Sequence, residues 1–187
     1  MKGFDCNTKL SYEKALEMKN SGFEFAMRYV GRLKQASFDI DAVEVQNILR
    51  GGLKLGLVQH CLNPGWVPTS ELGQEYGKNA AKFAQEVGYN TGCIIYLDLE
   101  GVKPGTPKQD ILDYCNIWYD AVAAKGYTPG IYIGFDNFLS SSDLYWKLKF
   151  KHYWKSFSSV PDVYKRGYEM FQLEWITVNG IQLDTDE

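Results

Sequence analysis

Short apolar runs alternate with amphipathic stretches along most of the chain. Met1–Asp5, Phe23–Val30, Leu53–His60, Cys93–Glu100 and Thr128–Gly134 are β-branched or aromatic runs of strand length, closed by Gly, Pro, Asp or His. Between them lie helical patterns. Ser11 can cap a first helix that Asn20-Ser21-Gly22 stops, Ile40–Arg50 is amphipathic and ends at Gly51-Gly52, and Thr69 or Ser70 opens a long helix that Gly88 closes. That long helix carries a stripe of small residues from Gly77 to Ala84, the mark of a helix lying close on a sheet. Pro107–Lys125 and Asn137–Lys149 are further helical stretches. Lys151–Lys155, Tyr168–Leu173 and Ile181–Asp184 are the last strands, the final two separated by an Asn179-Gly180 turn.

Strand-helix alternation predicts parallel pairing with right-handed crossovers. Eight strands in this order predict an irregular or flattened (β/α)8 TIM-type barrel, an α/β fold in one domain spanning 1–187. The chain has 187 residues, fewer than the roughly 250 typical of that barrel. C-terminal helices are therefore expected to be short or missing. An open doubly wound sheet is the alternative.

The fourth strand ends in chemistry. Side chains alternate across a strand, so Tyr96, Asp98 and Glu100 share one face while Ile95, Leu97 and Leu99 face the helices. In a barrel of this kind the site sits on the rim at the C-terminal strand ends. Asp5, Asp98, Glu100 and Asp184 are the acids expected there, with Arg28 as the evident counter-charge. Carboxylates gathered in one place raise one another's pKa, so one can hold a proton near neutrality while a neighbour stays ionised. Glycosidic cleavage needs that division of labour. Residues i and i+2 on a strand lie about 6.5 Å apart at Cα, which does not decide between retention and inversion.

Around the acids, Arg28 and Tyr29 are read as rim ligands for a polar substrate or as a salt bridge to one of the acids, with the salt bridge preferred. Gln59 and His60 end strand three on the same rim. Trp66, Tyr132, Phe135, Trp154 and Gln172 are the candidate sugar-stacking walls. Trp118 and Trp146 are expected in the core. Asp186 and Glu187 make an acidic tail plausible.

Composition narrows the classes. Hydrophobic residues make up 45% and charged residues 23%, as in a globular domain with a full core. The formal net charge of −3, with no block of Lys or Arg, gives no reason to expect nucleic acid. Aromatics reach 15%, including 13 Tyr and 5 Trp, a load that suits either a sugar cleft or simply an aromatic core. No run reaches membrane-spanning length, and the N-terminus lacks the apolar segment of a signal peptide. The chain is thus expected in the cytoplasm, as a mature form, or released by phage-type lysis or another route. Cys6, Cys61, Cys93 and Cys115 offer no zinc spacing; Cys93 and Cys115 read as buried thiols, and Cys6 with Cys61 as a conceivable disulfide. No metal and no cofactor are expected, and the protein is expected to be a monomer.

Four motifs in register carry a resemblance over nearly the whole chain. Gly3-Phe4-Asp5, Tyr96-Leu97-Asp98-Leu99-Glu100, Pro129-Gly130-Ile131-Tyr132-Ile133-Gly134, and Phe171-Gln172 followed by Leu183-Asp184 resemble the family 25 lysozymes. With Arg28-Tyr29 they are more similar still to the related bacterial glycoside-hydrolase-like domains. The resemblance implies a barrel that cleaves the β-1,4 link between N-acetylmuramic acid and N-acetylglucosamine in peptidoglycan. It implies Glu100 as general acid, Asp98 assisting by stabilising positive charge or orienting the N-acetyl group, and Asp5 and Asp184 completing the rim. Phe171-Gln172 stands where the lysozymes often have Trp-Gln, and the ending Thr185-Asp186-Glu187 lacks their usual Asn. Two other readings stand beside this one. One is a non-catalytic carbohydrate-binding barrel that keeps the acidic cleft. The other is a phosphoesterase holding a divalent metal on Asp5, Asp98 and Glu100.

Overall fold

Most of these strands bury residues on both faces, and a closed ring lets them do so without an exposed edge. A computed structural model describes residues 1–187. It shows a closed eight-stranded barrel in chain order. The strands are β1 (Gly3–Asp5), β2 (Phe25–Val30), β3 (Lys54–Gln59), β4 (Ile94–Leu99), β5 (Thr128–Ile133), β6 (His152–Lys155), β7 (Met170–Val178) and β8 (Ile181–Asp186). β1 through β7 pair in parallel. β8 runs antiparallel to both β7 and β1, because Asn179-Gly180 is a hairpin turn, with both residues at positive φ.

Five helices cover the outside: α1 (Tyr12–Asn20), α2 (Ala42–Arg50), α3 (Ser70–Glu86), α4 (Lys108–Ala123) and the short α5 (Ser141–Trp146). Ser11, Asp41, Thr69 and Ser140 cap α1, α2, α3 and α5 by accepting a backbone N–H three residues on. No helix separates β6 from β7 or β7 from β8, which is how a short chain still closes the ring. No helix is long and apolar enough to cross a membrane.

The small-residue stripe of α3 meets α4 rather than the sheet. A Cβ on Gly73 would lie 2.5 Å from the Tyr114 carbonyl oxygen, and one on Gly77 would lie 2.8 Å from Ala121 Cβ. The two helix backbones approach closely because neither glycine has a side chain to hold them apart.

Two apolar clusters follow from the two strand faces. Ile95, Leu97 and Leu99 pack outward with Ile131, Ile133 and the helices. Met27, Val58, Tyr96, Tyr132, Trp154 and Met170, one from each strand β2 to β7, fill the barrel interior. Trp154 meets Tyr132 edge-on at 4.7 Å between ring centroids. This plug is the floor on which the acidic residues stand. The expectation that Trp146 is core fails: it is 63% exposed, on the last turn of α5, whereas Trp118 is fully buried.

Candidate active site

Above the plug lies a hollow of about 220 Å³ lined by Tyr29, Val58, Asp98, Glu100, Tyr132, Trp154, Gln172 and Asp184. Lys and Arg are missing from that lining. β4 supplies Asp98 and runs directly into Glu100, and β8 supplies Asp184 beside Asp5 of β1. Asp5 joins through hydrogen bonds. Tyr29 donates to its Oδ1 at 2.8 Å and Gln172 donates to its Oδ2 at 2.9 Å, while Tyr132 donates to Gln172 Oε1 at 2.9 Å.

Burial raises every acid here. Asp5, 2% exposed, is pushed up to about 6 by desolvation; the donors Gln172 and Tyr29 pull against that rise, and Asp184 adds to it. Asp98 rises far above the usual carboxylate range, from burial first and then from the charge of Glu100. Its Oδ1 is buried and makes no hydrogen bond. Burial also raises Glu100 and Asp184, which are less enclosed. Two carboxylates this close resist ionising together, so the Asp98–Glu100 pair retains a proton toward neutrality.

Glu100 is held from two sides. Trp66 Nε1 donates to its backbone oxygen at 2.7 Å, and the Cys61 thiol donates to Oε1 at 3.4 Å. Burial, then the charges of Asp98 and Glu100, raises the Cys61 thiol, which therefore stays protonated and can donate.

A family model, the Rv2525c-like glycoside hydrolase-like domain, matches residues 16–182. The chain belongs to that family. Among solved structures it is similar to Rv2525c, a Tat-secreted protein of Mycobacterium tuberculosis solved in complex with HEPES. The TM-score is 0.74 at 17% identity, covering 100% of this chain and 94% of that one. It is also similar to a lysozyme from Streptomyces coelicolor, with a TM-score of 0.67 at 15% identity and coverage of 100% and 91%. A third is the modular autolysin LytC from Streptococcus pneumoniae in complex with a synthetic peptidoglycan ligand. There the TM-score is 0.64 at 14% identity, over 99% of this chain and 46% of LytC. No curated protein matches the sequence. This Rv2525c-like domain thus has a glycoside hydrolase-like fold related to the lysozymes.

Of the residues expected at its rim, Asp98, Glu100, Asp184, Tyr29, Tyr132, Trp154 and Gln172 line the hollow, and Asp5 bonds to its wall. Asp184 arrives there by a different route from the one expected. β8 is antiparallel, so Asp184 is level with Asp5 through cross-strand pairing rather than by ending a parallel strand.

Six residue expectations are corrected. Arg28 is fully buried and pairs with Glu44 at 2.7 Å, not with a rim acid; its other donors reach the carbonyls of Cys6 and Phe38. Gln59 turns to the helix side, donating to the Gly31 and Tyr76 carbonyls and accepting from Trp118 Nε1 at 2.7 Å. His60 hydrogen-bonds Asp39 at 2.7 Å and stacks on the outer side of the Tyr29 ring, facing a neighbouring hollow of about 360 Å³. Trp66 and Phe135 do not line the acidic hollow: Trp66 packs edge-on against Tyr114, and Phe135 is 39% exposed. Cys93, expected as a buried thiol, is only half-buried; all four cysteines are free, so the Cys6–Cys61 pairing left open above is not formed.

Three residues escaped sequence reading. Asp186 is fully buried, takes a hydrogen bond from Trp154 Nε1 at 3.0 Å, and is pushed up to about 9 by burial and then by Asp5. Its inward face was readable, since it lies two residues from Asp184 on a strand. Cys61 and the aromatic Phe157 gave no such signal. Phe157 is 77% exposed and, with Phe171 and Leu173, lines a groove of about 540 Å³ that shares Gln172 with the acidic hollow.

Proposed function

We propose that the domain hydrolyses the β-1,4 link between N-acetylmuramic acid and N-acetylglucosamine in peptidoglycan. The supporting observation is the convergence of Asp98, Glu100 and Asp184 on one hollow without a lining cation, with Asp5 tied to its wall. Glu100, the least buried of the pair, gives its proton to the leaving glycosidic oxygen as the bond to the anomeric carbon breaks. That proton is the one the Asp98–Glu100 pair retains, and Glu100, the member less enclosed, is placed to deliver it. Asp98, which lines the hollow, takes the N–H of the neighbouring N-acetyl group and turns that group's carbonyl toward the anomeric carbon. Asp5 and Asp184 stabilise the positive charge that grows on the sugar ring. A water then adds at the anomeric carbon, and its proton restores Glu100. Tyr132 and Trp154 form the inner wall of the subsite, and Phe157 and Phe171 offer ring faces to the next sugar along the groove.

The test is release of reducing ends from purified peptidoglycan. Loss of a general acid costs about 10²–10⁴-fold, so Glu100→Gln is expected to fall by that factor while still retaining glycan. Equal release by both proteins would remove Glu100 from its role. Retention without turnover by the wild type and the variant alike would favour the non-catalytic carbohydrate-binding reading.

A further inference from the structure

Cys61, Asp98 and Glu100 place one donor atom each within 4.8 Å of one another. The set joins a thiol to two carboxylates, borderline-soft with hard, the mixture that suits zinc. One of its three spacings matches what a single ion would impose, and the other two lie within 4.8 Å. With Zn–S near 2.3 Å and Zn–O near 2.1 Å, tetrahedral ligands stand about 3.6 Å apart. The Cys61 Sγ to Glu100 Oε1 distance is 3.4 Å.

A second observation points to a ligand. Asp98 is 8% exposed, lines the hollow, and has a buried Oδ1 with no hydrogen-bond partner. An orphaned buried carboxylate oxygen is costly unless something occupies the space it faces. The acidic hollow that Asp98 and Glu100 line holds no Lys or Arg and includes Asp184, while Cys61 borders it from the neighbouring hollow, whose wall includes Arg32 and Lys34. We infer that Cys61, Asp98 and Glu100 form a site for a thiophilic divalent cation of the zinc class. Three protein ligands leave a fourth position open toward the hollow, for water or a substrate oxygen. The inference rests on the hydrolase reading in one respect only. An ion on Glu100 Oε1 excludes the proton that acid catalysis needs, so the site is inhibitory.

Cadmium is the probe, because a cadmium-thiolate bond absorbs in the ultraviolet. Titrating full-length wild-type protein is expected to give one charge-transfer band that saturates at one equivalent and is displaced by zinc. Cys61→Ser is expected to abolish the band. Asp98→Asn and Glu100→Gln are each expected to keep it while weakening binding on the order of tenfold or more. Circular dichroism confirms that each variant is folded. A folded wild type without the band, a band that survives Cys61→Ser, or unchanged affinity in both carboxylate variants would each overturn the site. None of these readouts needs turnover, so failure of the hydrolase reading would leave the result intact. If turnover is found, loss of zinc inhibition in Cys61→Ser is the expected companion result.

Discussion

Gln172 on β7 donates a hydrogen bond to Asp5 on β1 at 2.9 Å, across 167 residues of sequence. The contact skips β8, which lies between the two strands in the ring. It works because Gln172 and Asp5 both point inward at rim level. A donor aimed at a buried carboxylate favours its ionised form, and Asp5 sits near 6 with that donor in place. In the proposed reaction Asp5 acts as an anion, so turnover should rise with pH through about 6. Gln172→Ala removes the donor and is expected to move this acidic limb to higher pH. The full pH profile of kcat is the measurement. An unchanged limb with lower activity would mean that Gln172 serves only in binding.

Asp186 gives the clearest effect of pH on stability. Its ordinary carboxyl pKa of 3.8 rises to about 9 in the fold, chiefly through burial. Between those values the folded chain holds a proton that the unfolded chain has lost. Stability therefore falls as pH rises across that window, by about 1.4 kcal/mol per pH unit for one full proton. Asp5 adds to the slope only between 3.8 and about 6. Asp186→Asn resembles the neutral acid and can still accept from Trp154. Melting temperatures across the window should fall for the wild type and fall less for the variant, whose advantage grows on the alkaline side.

Arg28 and Glu44 form an ion pair with both side chains buried. Glu44 also accepts from the Leu10 N–H, and Arg28 also ties down the Cys6 and Phe38 carbonyls. Removing one partner strands a buried charge, at a cost of about 3–5 kcal/mol. Glu44→Gln is expected to lower the urea midpoint accordingly. The double variant Glu44→Gln, Arg28→Met should lose less than the sum of the single changes. A fully additive cycle would show that the pair is not coupled.

The pattern of the chain carries much of this architecture. Period-two runs place Tyr96, Asp98 and Glu100 inward and Ile95, Leu97 and Leu99 outward, and the shortage of residues shows in the missing C-terminal helices. What the pattern hides is the partner of each polar side chain. Arg28 follows the inward Met27 and so faces α2, where Glu44 waits. Strand parity says that it faces the helices, but not which residue meets it there. Gln59 has the same parity as Leu57 and turns to Trp118 for the same reason. Asp186 was obscured by its place near the end of the sequence, where acidic residues read as a solvated tail. Cys61 was obscured because it follows a strand end, where no periodicity fixes a side chain's direction.

Two glycines of β5 and its exit separate the needs of the fold from those of the chemistry. A Cβ on Gly130 would stand 2.6 Å from the ring of Tyr96, in the barrel interior. A Cβ on Gly134 would stand 2.4 Å from Glu100 Oε2 and 2.5 Å from its Cβ. Gly130→Ala must therefore repack the plug, where overpacking costs about 1–3 kcal/mol. Gly134→Ala presses instead on Glu100, whose carboxylate can swing toward the hollow but whose Cβ moves only with its backbone. Displacing a reacting group by an ångström can cost about 10²-fold in rate. Gly130→Ala is expected to lower the melting temperature while leaving Glu100 in place, and Gly134→Ala to lower kcat on peptidoglycan as well as the melting temperature. If Gly134→Ala keeps full turnover, Glu100 does not act from the position it holds here, and the proton donor must be sought elsewhere on the rim.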